Sequence, residues 1–152
     1  MEYKNFVITA DTTCDLPQRV VEELELRLLP VCCTIGGEDF TSSDPQVLKR
    51  FFDRLRAGEM ATTSQATPQQ AQELFEPILK EGKQILHISF SSGLSGTAGS
   101  VQIAAGILNE RYGEDSVIVV DSLCASVGEA LLIQRAFAMQ EEGKSREEIR
   151  QW

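Results

Sequence analysis

The sequence predicts an α/β fold: a mostly parallel sheet with helices on both faces, a three-layer, Rossmann-like arrangement. Three observations carry this. Short apolar runs alternate with long helical patterns along the whole chain. The runs are too far apart for hairpins to join most of them, so parallel strands linked by crossover helices are required. Polar Ser/Thr/Asp/Gly segments follow the runs, as expected of strand-to-helix loops gathered at one rim.

In order, NFVIT at Asn5–Thr9 is a strand, followed by polar Asp11, Thr12 and Thr13. Asp15-Leu16-Pro17 then opens a helix through Val20, Val21 and Leu24. LLPVCCTI at Leu28–Ile35 is β-rich and closes on the turn Gly36-Gly37, with Phe40 on a short hairpin arm. Pro30 makes that strand start late or sit at an edge, because proline has no N–H for a ladder. Asp44-Pro45 pairs an N-cap with a proline at the first helical position, and Val47, Leu48, Phe51, Phe52 and Leu55 form the apolar face of a helix ending near Gly58.

Thr67-Pro68 repeats the device for a helix carrying Ala71, Leu74, Phe75 and Leu79 and stopping at Gly82. Then come a strand over Gln84–Ser89, the loop SSGLSG, a helix from Thr97 to Arg111 and a strand over Ser116–Val120. Beyond Asp121-Ser122 a small-residue turn enters a helix ending near Gly143, and Ser145-x-x-Glu148 is a capping box for a last helix, SREEIRQW. No further apolar strand follows, so the chain is expected to be cut short, its 152 residues forming one α/β domain.

The net charge of -9 disfavours nucleic acid or an anionic membrane surface as a partner. No run approaches the roughly 20 apolar residues of a membrane span. The start MEYKNFVITADTT lacks the pattern of a secretory leader, so the chain reads as cytoplasmic. The four cysteines, Cys14, Cys32, Cys33 and Cys124, show no C-x-x-C spacing and read as small buried hydrophobes; with His87 the single histidine, no metal is expected.

Four polar segments should share the rim: Asp11-Thr12-Thr13, Thr62-Thr63-Ser64-Gln65, Ser91–Thr97 and Asp121-Ser122. In SFSSGLSGTAGS, Gly93 and Gly96 permit close backbone approach. Ser92, Ser95 and Thr97 offer hydroxyls, and the next helix opens with unsatisfied N–H donors. The same residues also suit a tight turn and a helix cap. As a seat, the loop fits one small anion: it lacks the Gly-Lys-Ser/Thr ending of a nucleotide loop and the dinucleotide pattern G-x-G-x-x-G.

The combination ADTTCDLP at Ala10–Pro17, TTSQATP at Thr62–Pro68, HISFSSGLSGT at His87–Thr97, and VVDS with Ser126-x-Gly128 at Val119–Gly128 resembles the N-terminal half of the DegV family of bacterial fatty-acid-binding proteins. The resemblance implies a two-domain protein that holds a long-chain fatty acid, with its carboxylate at the polar rim and its tail in a tunnel, and presents it to a fatty acid kinase for phospholipid synthesis. The chemistry would belong to the kinase, so no catalytic residue and no cofactor beyond the lipid are implied. Thr63 and Ser95 would contact the carboxylate, while Ser64, Ser92, Gly93 and Gly96 would shape the seat. Asp11 and Asp121, which would repel an anion, would brace loops by accepting backbone N–H bonds. Thr12-Thr13 departs from the family's serine pair, and EDFTSSD at Glu38–Asp44 fits its acidic and aromatic pattern only in part.

Two other readings compete. Ser95 with His87 and Asp11 would suit a serine acyl hydrolase, although Gly93-Leu94-Ser95-Gly96-Thr97 departs from G-x-S-x-G at its last position. A half-protein exposing apolar surface could instead serve association, including self-association.

Overall fold

The computed structural model describes residues 6–41 and 44–152. The expected strand start at Asn5 and the Ser42-Ser43 part of EDFTSSD lie outside the described residues.

A four-stranded sheet forms the centre. Its strands are β1 (Phe6–Asp11), β2 (Arg27–Leu29), β6 (Gln84–Ser89) and β7 (Val117–Asp121), in the order β2-β1-β6-β7 and all parallel. Side chains alternate across it, as the two-residue period of a strand requires. Phe6, Ile8 and Ala10 of β1, with Leu86 and Ile88 of β6 and Ile118 of β7, face one core. That core is completed by α5 (Val127–Glu141), α6 (Arg146–Gln151) and partly buried Val20 and Val21 of α1 (Gln18–Glu23). Ile85 and Val117 face the other core, against Phe75 and Ile78 of α3 (Pro68–Lys80) and Val101, Ala104 and Leu108 of α4 (Thr97–Tyr112). The expected three layers are therefore present.

The helix boundaries follow local chemistry. Thr67 and Ser145 each cap through a reciprocal capping box, with Gln70 and Glu148, and Asp44 accepts from the amides of Gln46 and Val47. The Ser145 amide and hydroxyl, with Lys144, hold the Glu148 carboxyl down at about 2. Among the described helices none is long and apolar enough to cross a membrane.

Two expectations need correction. The run LLPVCCTI is not one strand: it breaks at Pro30 into β2, an edge of the main sheet, and β3 (Cys32–Ile35), which belongs to a second sheet. That sheet is antiparallel, ordered β4-β3-β5, with β4 at Glu38–Asp39 and β5 at Ala61–Ser64. The segment expected as a loop, Thr62-Thr63-Ser64, is thus most of β5. Its residues are exposed, so no apolar alternation marked it as a strand. Its pairing with β3, including a 2.9 Å bond between the Thr34 and Thr62 hydroxyls, comes from 28 residues away in sequence. The α2 helix (Pro45–Arg56) joins this sheet through Phe51 on Phe40 and through Arg54 paired with Glu38. Cys14 is buried as expected, whereas Cys32, Cys33 and Cys124 are only half-buried.

Candidate functional site

The strand order places a topological switch point between β1 and β6, because the chain leaves β1 toward β2 on one side and β6 toward β7 on the other. A crevice opens at the carboxyl ends of two such strands. A buried polar chain fills the floor below it. Thr9 Oγ1 and His87 Nδ1 are 2.9 Å apart, His87 Nε2 lies 3.2 Å from Asp11 Oδ1, and Asp11 Oδ2 accepts from the Ser89 hydroxyl at 3.0 Å and the Phe90 amide at 2.7 Å. The tautomer with hydrogen on Nε2 satisfies every partner: His87 donates to Asp11 and accepts from Thr9. Phe75 closes the other side of the imidazole edge-on at 5.2 Å.

This arrangement decides against the acyl-hydrolase constellation. His87 is wholly buried and both its ring nitrogens are engaged with Thr9 and Asp11. The Ser95 hydroxyl pairs with the Thr97 hydroxyl at 2.9 Å and accepts from the Thr97 amide at 3.2 Å. A nucleophile needs its base within hydrogen-bond reach, and here serine and histidine are committed to different partners.

Both aspartates brace loops, as the sequence suggested. Asp11 anchors the start of the serine-glycine loop at Phe90. Asp121, the last residue of β7, accepts from the amides of Ser92 and Leu123 through Oδ1, each at 3.1 Å. The Ser92 hydroxyl, followed by these amides, holds the Asp121 carboxyl below the usual carboxylate range.

The two hydroxyl-bearing segments meet. The Ala66 amide, just beyond β5, donates to Thr97 Oγ1 at 3.2 Å, and Gln65 Nε2 donates to Ser100 Oγ at 3.2 Å. The Gln65 side chain lies over Gly96 so closely that an added Cβ would come within 1.9 Å of Gln65 Oε1. Space and not backbone conformation is what the glycine supplies, since its φ of -74° suits any residue and a larger side chain would have to displace the end of Gln65. Thr63 and Ser95 therefore stand on segments joined through Gln65, Ala66, Thr97 and Ser100, four residues whose linking role the motifs alone did not reveal. Thr63, Ser64, Ser92, Gly93 and Gly96 are exposed and Ser95 is half-buried.

Beside this junction lies a cleft of about 510 Å³ between the main sheet's rim and the small sheet with α2. Thr12, Thr13 and Thr63 supply hydroxyls to its lining, and Leu16, Leu28, Val31, Phe40, Leu48 and Phe52 supply apolar surface. Thr63 opens onto this cleft, whereas Ser95 stands on the adjoining loop outside its lining. Thr12 is fixed by accepting from the Val31 amide at 3.0 Å.

Behind Thr13 is Glu129, which the sequence reading missed. It sits in the first turn of α5, wholly buried. Its Oε2 accepts from Thr13 Oγ1 at 3.0 Å, while Oε1 is buried without a hydrogen-bond partner among the described residues. Burial pushes its carboxyl up to about 8, with the nearby Asp11 and Asp15 charges adding to the effect. The signal available was an acid among small and apolar residues, SVGEALLI. Among the described residues, no three of His, Cys, Asp and Glu come together as metal ligands would.

Comparison with known proteins places this architecture. The family model described as an uncharacterised protein of the DegV family matches residues 5–152. A DegV domain-containing protein of Clostridium perfringens is 38% identical over 151 residues, covering 98% of this chain and 52% of its own length. The structure of a fatty-acid-binding DegV family protein from Thermus thermophilus superposes with a TM-score of 0.82 at 31% identity, over 95% of this chain and 50% of that one. A Thermotoga maritima protein whose structure revealed fatty acid binding gives 0.81 at 27% identity, over 96% and 52%. The chain spans about half the length of the relatives it matches.

Proposed function

The chain belongs to the DegV family, and from that premise we propose that it supplies the carboxylate seat for a long-chain fatty acid in the cytoplasm. Thr63 and Ser95 donate to the carboxylate, Ser64, Ser92, Gly93 and Gly96 shape the seat, and the acyl chain leaves the rim over apolar surface. The bound acid is then presented to a fatty acid kinase, which phosphorylates the carboxylate for phospholipid synthesis; this chain contributes binding and no catalytic group.

One observation carries the reading: the Thr-Thr-Ser-Gln and Ser-Ser-Gly-Leu-Ser-Gly-Thr segments are locked together at the sheet's carboxyl rim beside an apolar cleft. Hydroxyls without a lysine or arginine suit a single carboxylate that must be held in orientation. Tail burial contributes roughly 0.8 kcal/mol per CH₂, so the tail sets affinity and the hydroxyls set head-group preference.

The test is mass spectrometry of lipid extracted from the purified protein, followed by binding of a fatty acid and its matching alcohol to wild type and to a Thr63→Ala, Ser95→Ala double variant. Wild type should prefer the acid and the variant should lose that preference while keeping most affinity for the alcohol. Equal binding of acid and alcohol by wild type would remove the seat.

A second reading, self-association, is favoured by apolar side chains left in the open: Leu94, Leu123, Val127 and Leu131 are each more than 60% exposed. Val127 and Leu131 lie four residues apart on one face of α5. Light scattering over a concentration series checks it, and a monomer at the highest concentration would exclude it.

A further inference from the structure

Resting on the fatty-acid reading, we infer that Glu129 decides by its charge whether the cleft beside Thr13 admits an anionic head group. Thr13 lines that cleft together with Thr63, and the Glu129 carboxyl lies directly behind Thr13, 3.0 Å from its hydroxyl. One hydroxyl therefore separates this acid from the space a ligand would occupy. The carboxyl is wholly buried and, among the described residues, one of its oxygens has no partner, so the hydrogen bond from Thr13 and a weaker backbone contribution at Asp11 do not offset the desolvation of an ionised Glu129.

The charged groups acting on Glu129 are acidic: Asp11 from β1, and Asp15 just beyond the turn at Thr12–Cys14. From that turn faces the Cys14 thiol, itself pushed up to about 11 by burial, so it stays uncharged through the neutral and mildly alkaline range. β6 turns apolar Leu86 and Ile88 toward the α5 side. Of the α6 charges, Arg146 sits at the sheet's opposite end, donating to the Ile85 and Ser116 carbonyls, and Arg150 is paired with Glu147. Among the described residues no lysine or arginine lines the cleft, and Arg50 and Arg54, which stack on Phe40, are paired with Glu38 and Glu59, so a carboxylate entering it would add a negative charge facing Glu129. It is accepted while Glu129 carries its proton and repelled once that proton leaves.

The sign follows from linkage. With burial holding the free protein's Glu129 carboxyl up at about 8, anion affinity is flat below that pH and falls above it. A neutral ligand of the same shape shows no such fall. The glutamate is a positioning and charge-selecting group that acts through Thr13.

The experiment measures binding of laurate, below its micelle concentration, and of dodecanol between pH 6.5 and about 9.5, for wild type and Glu129→Gln. Expected are a roughly tenfold loss of laurate affinity in wild type across this range, a flat dodecanol curve, and a flat laurate curve for Glu129→Gln. Carbon-13 titration of the wild-type Glu129 carboxyl provides a readout independent of any variant's folding. Laurate binding with the same pH dependence in both proteins, or a Glu129 carboxyl titrating in the ordinary glutamate range, overturns the inference and leaves the fatty-acid reading standing. Failure of both ligands to bind at every pH overturns the fatty-acid reading and the inference with it.

Discussion

The amide of Gln65 lies across Gly96, and Gln65 Nε2 reaches on to Ser100 Oγ at 3.2 Å. This contact joins the small antiparallel sheet to the first turn of α4, and so fixes where Thr63 stands relative to Ser95. Gly96→Ala should expel the Gln65 side chain and break its bond to Ser100, costing about 1 kcal/mol. Its effect on acid binding should exceed its effect on stability. The double variant Gly96→Ala, Gln65→Ala should regain most of the lost stability without regaining binding. Chemical denaturation beside ligand titration checks this; a Gly96→Ala protein with wild-type binding would show that the junction does not position the seat.

Thr97 gives a second handle on the same junction. Its hydroxyl is buried and accepts from the Ala66 amide. Thr97→Val keeps the shape and strands that amide, which should cost on the order of 1–3 kcal/mol. Hydrogen exchange at Ala66 should speed up locally in the variant, and unchanged exchange there would count against the bond.

Asp11 holds the floor of the site. Asp11→Ala removes the acceptor for the buried Ser89 hydroxyl, the Phe90 amide and His87. Stranding several buried donors should cost at least about 3 kcal/mol. Asp11→Asn retains one acceptor oxygen and should recover part of the loss. Equal urea midpoints for wild type and Asp11→Ala would overturn the role assigned to this network.

Glu129 makes stability depend on pH in the direction opposite to most carboxylates. Burial raises its folded value above the ordinary 4.5, up to about 8. The stability it contributes is fully present below about pH 4.5 and is lost as pH rises through about 8. Wild type should therefore fall relative to Glu129→Gln by on the order of 5 kcal/mol over that window. Paired denaturation curves from pH 5 to about 9 measure the difference; a constant gap between the two proteins would mean that the carboxyl titrates normally.

Much of this protein was decided locally. The strand at Gln84–Ser89, the caps at Asp44, Thr67 and Ser145, and the helix stop at Gly82 were legible because each follows from neighbours within a few residues. Alternation in ILHISF also foretold that His87 shares a face with Ile85 and Ser89. Asp11 and Asp121 could be assigned as braces because a carboxylate repels an anionic ligand but can accept backbone N–H bonds from a neighbouring loop. Tertiary structure alone decided the rest. Thr62–Ser64 became a strand because β3 offered it a partner, although neither of its faces is apolar. Gly96 leaves the space in which the end of Gln65, a residue from another element, lies. Glu129 acquired its unusual carboxyl only when α5 was laid against the turn after β1. Local sequence carries hydrogen-bond caps and hydrophobic period, which act over one or two turns. Pairing of exposed strands, close approach of distant segments and desolvation of a charge depend on which surfaces meet when the sheet is assembled.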